Sequence, residues 1–471
     1  MKNRRQFLKQ SLTGTLGLGA LSMGSLNLAD AFFNEAHAAI TPASNDYKSL
    51  VVVNLNGGND SLNMLIPNTQ SEYNLYYAAR SNIAFDKSDL LPISPTGMAA
   101  ESFGLSPRMP GMQSLFESKD LSFVANVGSI VEPISKAEFL DPLNTKSLPD
   151  NIGAHNTQAN YWQADHSNSV NTSKEGWGGN LADEFIIDGI LPTNISVASG
   201  HTVFQSHQSQ AFYNVATNGF VNLEDFTVGV TNPGILARRK AINALNQLAA
   251  NADDPFLQHA GTLFQNGLDS NLSLQNVLTT VPNLSSEFDQ VSVTNSGELF
   301  GSSLARIAEL ITVREQLNMR RQIFFVQLTG FDTHSSHAEN HGNLSQDLST
   351  FLKAFSDVMK DNGLNDSVLT VTMSEFGRNL VSNGDGTDHA WGAQHMVMGG
   401  PVDGGKIFGT FPSLELDGDD DYNGLGRMIP TTSISQYGST IARWFGVPAN
   451  RISTVFPNVS NFLTDDIGFL G

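Results

Sequence analysis

The chain predicts an α/β fold with a mostly parallel sheet, and three observations predict it. Apolar-rich runs recur at Leu50 to Leu55, at Ile323 to Val326 with Leu328, where the run is unbroken, and at Ser367 to Met373, with Val368, Leu369, Val371 and Met373. Such runs fit strands buried on both faces. Amphipathic helical patterns flank them: Leu304, Ile307, Ala308 and Ile311 recur at i, i+3, i+4 and i+7. Each run also empties into a short polar loop with a carboxylate, at Asp60, Asp332 and Glu375. In open α/β sheets, ligands bind beyond the carboxyl ends of the strands.

The N-terminus comes first. Asn3-Arg4-Arg5-Gln6-Phe7-Leu8-Lys9 has the pattern of a twin-arginine export motif. A moderately apolar, glycine-rich stretch runs from Leu12 to Ala29, and Ala36-His37-Ala38 is a small-x-small cleavage site. Residues 1–38 therefore read as a signal peptide. Residues 39–471 read as the mature domain, periplasmic or secreted by the twin-arginine route. Cleavage removes a net charge of +2 and takes the formal charge from −20 to −22. No other run reaches the ~18 apolar residues of a membrane span.

Val51-Val52-Val53 forms the centre of the first strand, which ends in Asn56-Gly57-Gly58-Asn59-Asp60. Paired glycines let the backbone turn sharply and approach a ligand. No lysine follows, so this is not a phosphate loop. Ser61 to Leu65 opens a helix or a short extended piece. Glu72 to Arg80 is helical, and Met112 to Glu117 is a helix with proline near its start. Leu121 to Val127 is a second buried strand. In the segment from Gly153 to Trp162, Asn156 or Thr157 caps a helix whose N-terminal amides would face an oxyanion. The Thr157 hydroxyl is a candidate nucleophile, although a capping role is commoner for such a residue.

Gly176 to Ala182 is a loop entering a helix, and Asn194 to Ala198 is a strand. Residues 217–300 differ in texture. They are polar and rich in Asn, Gln, Leu and Ser, with helical spacing at Leu236, Ile242, Leu245 and Leu248, and read as a helical insertion. Ser302 to Leu317 is the helix that feeds the strand before Gly330, Asp332, His334 and His337. Leu344 to Met359 is the next amphipathic helix. The following strand ends in Ser374-Glu375-Phe376-Gly377-Arg378, with Arg378 a possible anion contact. A Gly- and Asp-rich loop then carries Asp388, His389 and His395, Met396-Val397-Met398 reads as a strand, and Thr432 to Phe445 contains a helix.

Composition removes several functions. The charge of −20 argues against nucleic acid and anionic lipid as partners. With no cysteine, thiolate metal sites, iron–sulfur clusters and cysteine nucleophiles are excluded. What remains is an oxygen- and nitrogen-ligated divalent ion, zinc, manganese or calcium. Its candidate ligands are Asp60, Asp332, His334, His337, Glu375, Asp388, His389 and His395. Carboxylates distant in sequence but gathered at one sheet edge are costly unless a cation compensates them, and such sets build one- or two-metal hydrolytic sites.

The twin-arginine leader, VVVNLNGGNDSLNMLIP, HNTQANYW, GWGGNLAD, GFDTHSSH, VTMSEFGR and GTDHAWGAQH together resemble a family of exported bacterial proteins of unknown function. That family belongs to the alkaline-phosphatase-like superfamily of phosphatases, sulfatases and phosphoglycerate mutases. The resemblance implies a single three-layer α/β/α sandwich with metals at the strand ends. It implies that Asp60 matches the first metal-binding Asp and that Asp332 with His334 matches an Asp…His pair, with His337 a rival. Ser374-Glu375-Phe376-Gly377 matches a Ser-Asp-His-Gly turn, with Glu375 for Asp and Phe376 for a metal-binding His. Asp388, His389 or His395 supplies the late histidine. Thr157 lies in the region of the nucleophile, without a sulfatase signature around it. The implied activity is metal-dependent hydrolysis of phosphate or sulfate esters on small molecules or polysaccharides. The alternative is a non-catalytic binding or cell-envelope protein whose metal site has degraded.

Overall fold

The computed structural model describes residues 39–165, 175–186, 189–197, 204, 213–217, 226, 229–281 and 284–471. The leader read at residues 1–38 lies outside the described residues. The chain order is β1 (Lys48–Asn56), β2 (Leu65–Pro67), α1 (Gln70–Arg80), β3 (Leu91–Ile93), β4 (Phe103–Leu105), α2 (Pro110–Glu117), β5 (Leu121–Gly128), α3 (Lys136–Leu140), α4 (His155–Ala164) and α5 (Trp177–Asp183). Then come β6 (Asn194–Val197), β7 (Tyr213–Val215), α6 (Pro233–Ala250), α7 (Pro255–Leu278), α8 (Asn295–Thr312), β8 (Arg321–Thr329), α9 (His337–Asp361) and β9 (Val368–Met373). The last elements are β10 (Ala393–Met398), β11 (Ile407–Phe408), β12 (Thr432–Ser433), α10 (Ile434–Phe445) and α11 (Ile452–Val455).

Among the described residues the main sheet has the order β11-β5-β10-β9-β1-β8-β6-β7, with β12 alongside β5. The core of the sheet is parallel. Val51 of β1 stands opposite Phe324 of β8 and Thr370 of β9. β10 runs against both of its neighbours. The physical reason is its connection: β9 returns to β10 through a loop, and a parallel partner would need a helical crossover.

Side chains alternate across β1, and both faces are dry. Val51, Val53 and Leu55 pack with Leu304, Ile307 and Ile311 of α8 and Leu348, Phe351 and Phe355 of α9. Leu50 and Val52 pack on the other face with Leu181 of α5 and with Ile434, Tyr437, Ile441 and Phe445 of α10. This two-sided burial is why Leu50 to Val53 are consecutively apolar and do not alternate with polar residues. The result is a mostly parallel central sheet flanked by helices. No described helix is long and apolar enough to cross a membrane.

Local departures from the sequence reading are small and have causes. α4 begins at His155 after Ala154, with no side-chain cap, so neither Asn156 nor Thr157 caps it. α2 starts at Pro110, whose missing amide hydrogen suits a first helical position. Ser61–Asn63 forms one 3-10 turn before β2.

α4 ends at Asp165, a left-handed residue with φ of 54°. Its carboxylate accepts a 2.6 Å bond from Ser435 at the start of α10, while Oδ2 is buried without a partner. Burial pushes its pKa up to about 7, the Ser435 bond opposing it. The folded pKa thus lies above the unfolded value of ~3.9. The contribution to stability is full below about pH 4 and is lost as pH rises through about 7. Asp165→Asn should remove this loss. Its unfolding free energy, measured by urea titration, should gain on the parent by on the order of 4 kcal/mol between pH 4 and pH 8. A difference that does not change with pH would contradict the assignment.

Candidate functional site

The site is built on the Gly57-Gly58 turn at the end of β1. Both glycines have left-handed backbones, with φ of 120° and 80°. A Cβ on Gly57 would lie 2.5 Å from the Asp332 amide, and one on Gly58 would lie 2.2 Å from the Phe376 ring. Only glycine allows the three loops after β1, β8 and β9 to approach this closely.

The segment after β9 grips that turn from both sides. The Glu375 carboxylate accepts from the Gly57 amide at 2.9 and 3.0 Å and from the Gly58 amide at 2.9 Å. Ser374 Oγ accepts from the Asn59 amide and donates to the Leu55 carbonyl, both at 2.8 Å. Arg378 donates to the Gly58 carbonyl through Nε at 2.7 Å and to the Gly57 carbonyl through Nη2 at 2.6 Å. Its Nη1 reaches the Thr387 carbonyl at 2.8 Å, and Nη2 also pairs with Asp332 Oδ1. Burial pushes the Glu375 carboxyl up, but the His155 contact and the two glycine amides outweigh it and hold the pKa below the usual value.

Three side chains converge in front of this clamp: His155, Asp332 and His389, whose ligand atoms all lie within 4.8 Å of one another. Asp332 stands just beyond β8 and is 45% exposed. Its Oδ1 lies 3.2 Å from His389 Nε2, and its Oδ2 lies 3.4 Å from His155 Nε2. Burial raises the Asp332 pKa, but the bonds from Arg378 and His389 outweigh it, and the group settles at about 2. Asp332 is therefore a carboxylate at neutral pH.

Both imidazoles are set from behind. His389 Nδ1 lies 2.6 Å from the Gly153 carbonyl, which can only accept, so Nδ1 carries a hydrogen. His155 Nδ1 faces Glu375 Oε1 at 3.7 Å. The Glu375 contact raises the His155 pKa, with burial opposing. Burial lowers that of His389, with the Gly153 carbonyl and Asp332 opposing. His155 Nε2 is buried with no hydrogen-bond partner. An outer acceptor that fixes the far ring nitrogen and frees the near one is the usual support of a metal-binding histidine. Two imidazole nitrogens and one carboxylate oxygen fit a zinc or manganese ion with an open position. His334 and Asp388 form the rim, with His334 Nε2 2.9 Å from His389 Nε2 and Nδ1 3.3 Å from Asp388 Oδ1.

The structure thus gathers Asp332, His334, Glu375, Arg378, Asp388 and His389. It sets four expected site residues apart. Asp60 is fully buried, with Arg80 at 2.5 Å and His337 Nε2 at 2.9 Å. Burial raises its pKa, but Arg80 and His337 outweigh it and hold it below the carboxylate range. The left-handed glycines turn the chain before Asp60, so it leaves the rim and enters this internal ion pair. His337 is held there too, with Thr333 Oγ1 2.7 Å from its Nδ1. His395 lies within β10, its ring tilted against Trp162 with centroids 4.6 Å apart, and is a core residue. Thr157 follows His155 by two positions on α4, and residues two apart on a helix face different ways. Arg378 is fully buried and spends its donors on loop carbonyls and Asp332, so it holds the site and does not greet an anion. Sequence reasoning missed His155. Its only signal was a histidine at a helix start just after Gly153.

Replacing Glu375 by alanine should leave the Gly57 and Gly58 amides buried without an acceptor. The expected loss is about 2–4 kcal/mol of unfolding free energy in urea, with a smaller loss for Glu375→Gln. An alanine variant within about 0.5 kcal/mol of the parent would show that the clamp is not needed.

Several solved structures align with this chain at low identity. PsFucS1 sulfatase from Pseudoalteromonas sp. is 9% identical, with 86% of this chain and 68% of that chain covered and a TM-score of 0.35. The C-terminal periplasmic domain of EcEptC from Escherichia coli is 9% identical over 88% and 87% of the two chains, with a TM-score of 0.34. A TAB5 alkaline phosphatase variant with bound Mg is 10% identical over 76% and 92%, with a TM-score of 0.29. No curated protein matches the sequence. A family model described as a protein of unknown function (DUF1501) matches residues 47–423, and the chain belongs to that family.

Proposed function

We propose that this chain is an exported, metal-dependent hydrolase of phosphate or sulfate esters. The observation that carries the reading is the buried, unpartnered Nε2 of His155, aimed with His389 Nε2 at the Asp332 carboxylate. The ester class rests on the motif resemblance drawn from the sequence. A bound divalent ion would supply charge against the ester oxygens and acidify a water.

The chain's own residues do the positioning. Glu375 orients His155, the Gly153 carbonyl orients His389, and Arg378 fixes Asp332. Asp332, at 45% exposure, leaves the centre open to an ester from solvent. His334 and Asp388 line the approach. A second reading, a metal-binding protein without turnover, is favoured by one observation: the guanidinium nearest the centre, Arg378, has no side open to a substrate anion.

The test is elemental analysis of protein purified without a metal-binding tag, followed by assays with p-nitrophenyl phosphate and p-nitrophenyl sulfate. About one zinc or manganese per chain is expected, with affinity falling roughly 10- to 100-fold or more in His155→Ala, His389→Ala and Asp332→Asn. Asp60→Asn should keep its metal if it folds, and Thr157→Ala should keep both metal and turnover. Metal with no turnover selects the binding reading, and no metal after loading sinks both. Replacing Arg4 and Arg5 by lysine should hold the protein in the cytoplasm, as judged by cell fractionation. Unchanged export would refute the twin-arginine route.

A further inference from the structure

One apolar ring stands inside the polar centre. Phe376 is fully buried. In sequence it lies between Glu375, which accepts from the Gly57 and Gly58 amides, and Arg378, which donates to the carbonyls of the same two glycines. The next residue is tied as well: the Gly377 amide donates to the Trp391 carbonyl at 3.0 Å, and the Ala390 amide donates to the Gly377 carbonyl at 2.8 Å. The backbone that carries the phenyl is therefore held on both sides. The ring rests on Gly58, where an added Cβ would stand 2.2 Å from its Cε2.

The same ring meets both imidazoles. Its centroid lies 4.9 Å from that of His155, with the planes tilted by 47°, and 4.5 Å from that of His389, tilted by 32°. The imidazoles meet each other edge-on at 4.4 Å, with 77° between their planes. Rings from the start of α4, from the turn after β9 and from the loop before β10 thus close one triangle. A hydrogen bond at Nδ1 fixes one point of an imidazole and leaves the ring free to swing about that bond. A flat, immobile neighbour removes the swing and so decides where Nε2 points. The two histidines need this to different degrees. His389 has its 2.6 Å bond to the Gly153 carbonyl. His155 faces Glu375 at 3.7 Å, beyond hydrogen-bond distance, so ring packing carries most of its orientation.

We propose that Phe376 is a positioning residue of the centre: its buried ring sets the direction in which His155, and to a lesser degree His389, presents Nε2 to a divalent ion. This role rests on the metal reading above. The phenyl offers no ligand atom and acts only through the imidazoles. A preorganised site needs its ligands held to within about 0.5 Å by side chains that are themselves locked, and Phe376 is locked by the clamp behind it. The glycine turn, the clamp and the ligand pair are thus joined through one ring.

The test uses the full chain stripped of metal, titrated with zinc against a chromophoric chelator and separately with cobalt(II), whose visible absorption reports ligand geometry. Phe376→Leu keeps an apolar side chain but loses the flat face. It should weaken zinc binding roughly 10- to 100-fold and alter the cobalt bands, while the thermal midpoint of the metal-free protein moves by only a few degrees. Phe376→Met, equally apolar and without a flat face, should do the same. In a His155→Ala background, Phe376→Leu should cost only about threefold more or less, since the ring it orients is gone. A parent chain that binds neither ion overturns the metal reading, and this role falls with it. A parent that binds, with variants that keep its zinc affinity and cobalt bands, overturns this role alone. So does a Phe376→Leu effect that is fully retained in the His155→Ala background, which would leave Phe376 a packing residue.

Discussion

Every backbone polar group of the Gly57-Gly58 dipeptide is held by one short segment. Glu375 takes the two amides and Arg378 takes the two carbonyls. Both side chains come from the five residues after β9, while the dipeptide ends β1. Two parallel neighbours in the sheet are thus locked at their carboxyl ends by ionised groups on neutral backbone. Hydrogen bonds to charged groups are among the stronger ones available to a fold. The two charges sit on opposite sides of the turn, so each is neutralised through the dipeptide's own dipoles.

The clamp decides how the centre in front of it works. Arg378 reaches past the turn to Asp332 and keeps it ionised. Glu375, its oxygens engaged with amides, still faces His155. The same two residues therefore hold the scaffold and aim the ligands, and the loop carbonyl of Gly153 aims the third. Behind the turn lies a second, closed set of charges. Asp60, Arg80 and His337 are fully buried and answer one another. A guanidinium there satisfies the carboxylate that the strand end supplies, and the open centre is left to His155, Asp332 and His389.

Much of this was legible in the order of the residues. The strands β1, β8 and β9 carry apolar residues on both faces because both faces are covered, and that pattern reads as buried parallel strands. The helices α8 and α9 follow from period alone. The carboxylates after each strand were visible, and five of the expected acids and histidines, Asp332, His334, Glu375, Asp388 and His389, do meet. Others were misread for identifiable reasons. His395 follows His389 by six positions and looked like a neighbour, but β10 has begun by then and buries it against Trp162. Asp60 shares its setting with Asp332, a short glycine turn after a strand, yet the left-handed pair of glycines carries it inward.

By itself the sequence determined where strands and helices form, since apolar period and glycine placement are local properties of the chain. It also determined which chemistry was closed, because a chain without cysteine offers no thiolate ligand or thiol nucleophile. Tertiary structure alone decided which of the carboxylates and imidazoles meet. His155 joins the centre because α4 begins beside a loop more than 200 residues away in the chain. Arg378 faces inward because its donors find carbonyls there, and Asp60 is answered by an arginine that period and spacing do not tie to it. Such partnerships depend on distances through space, and only packing the sheet and its loops sets them.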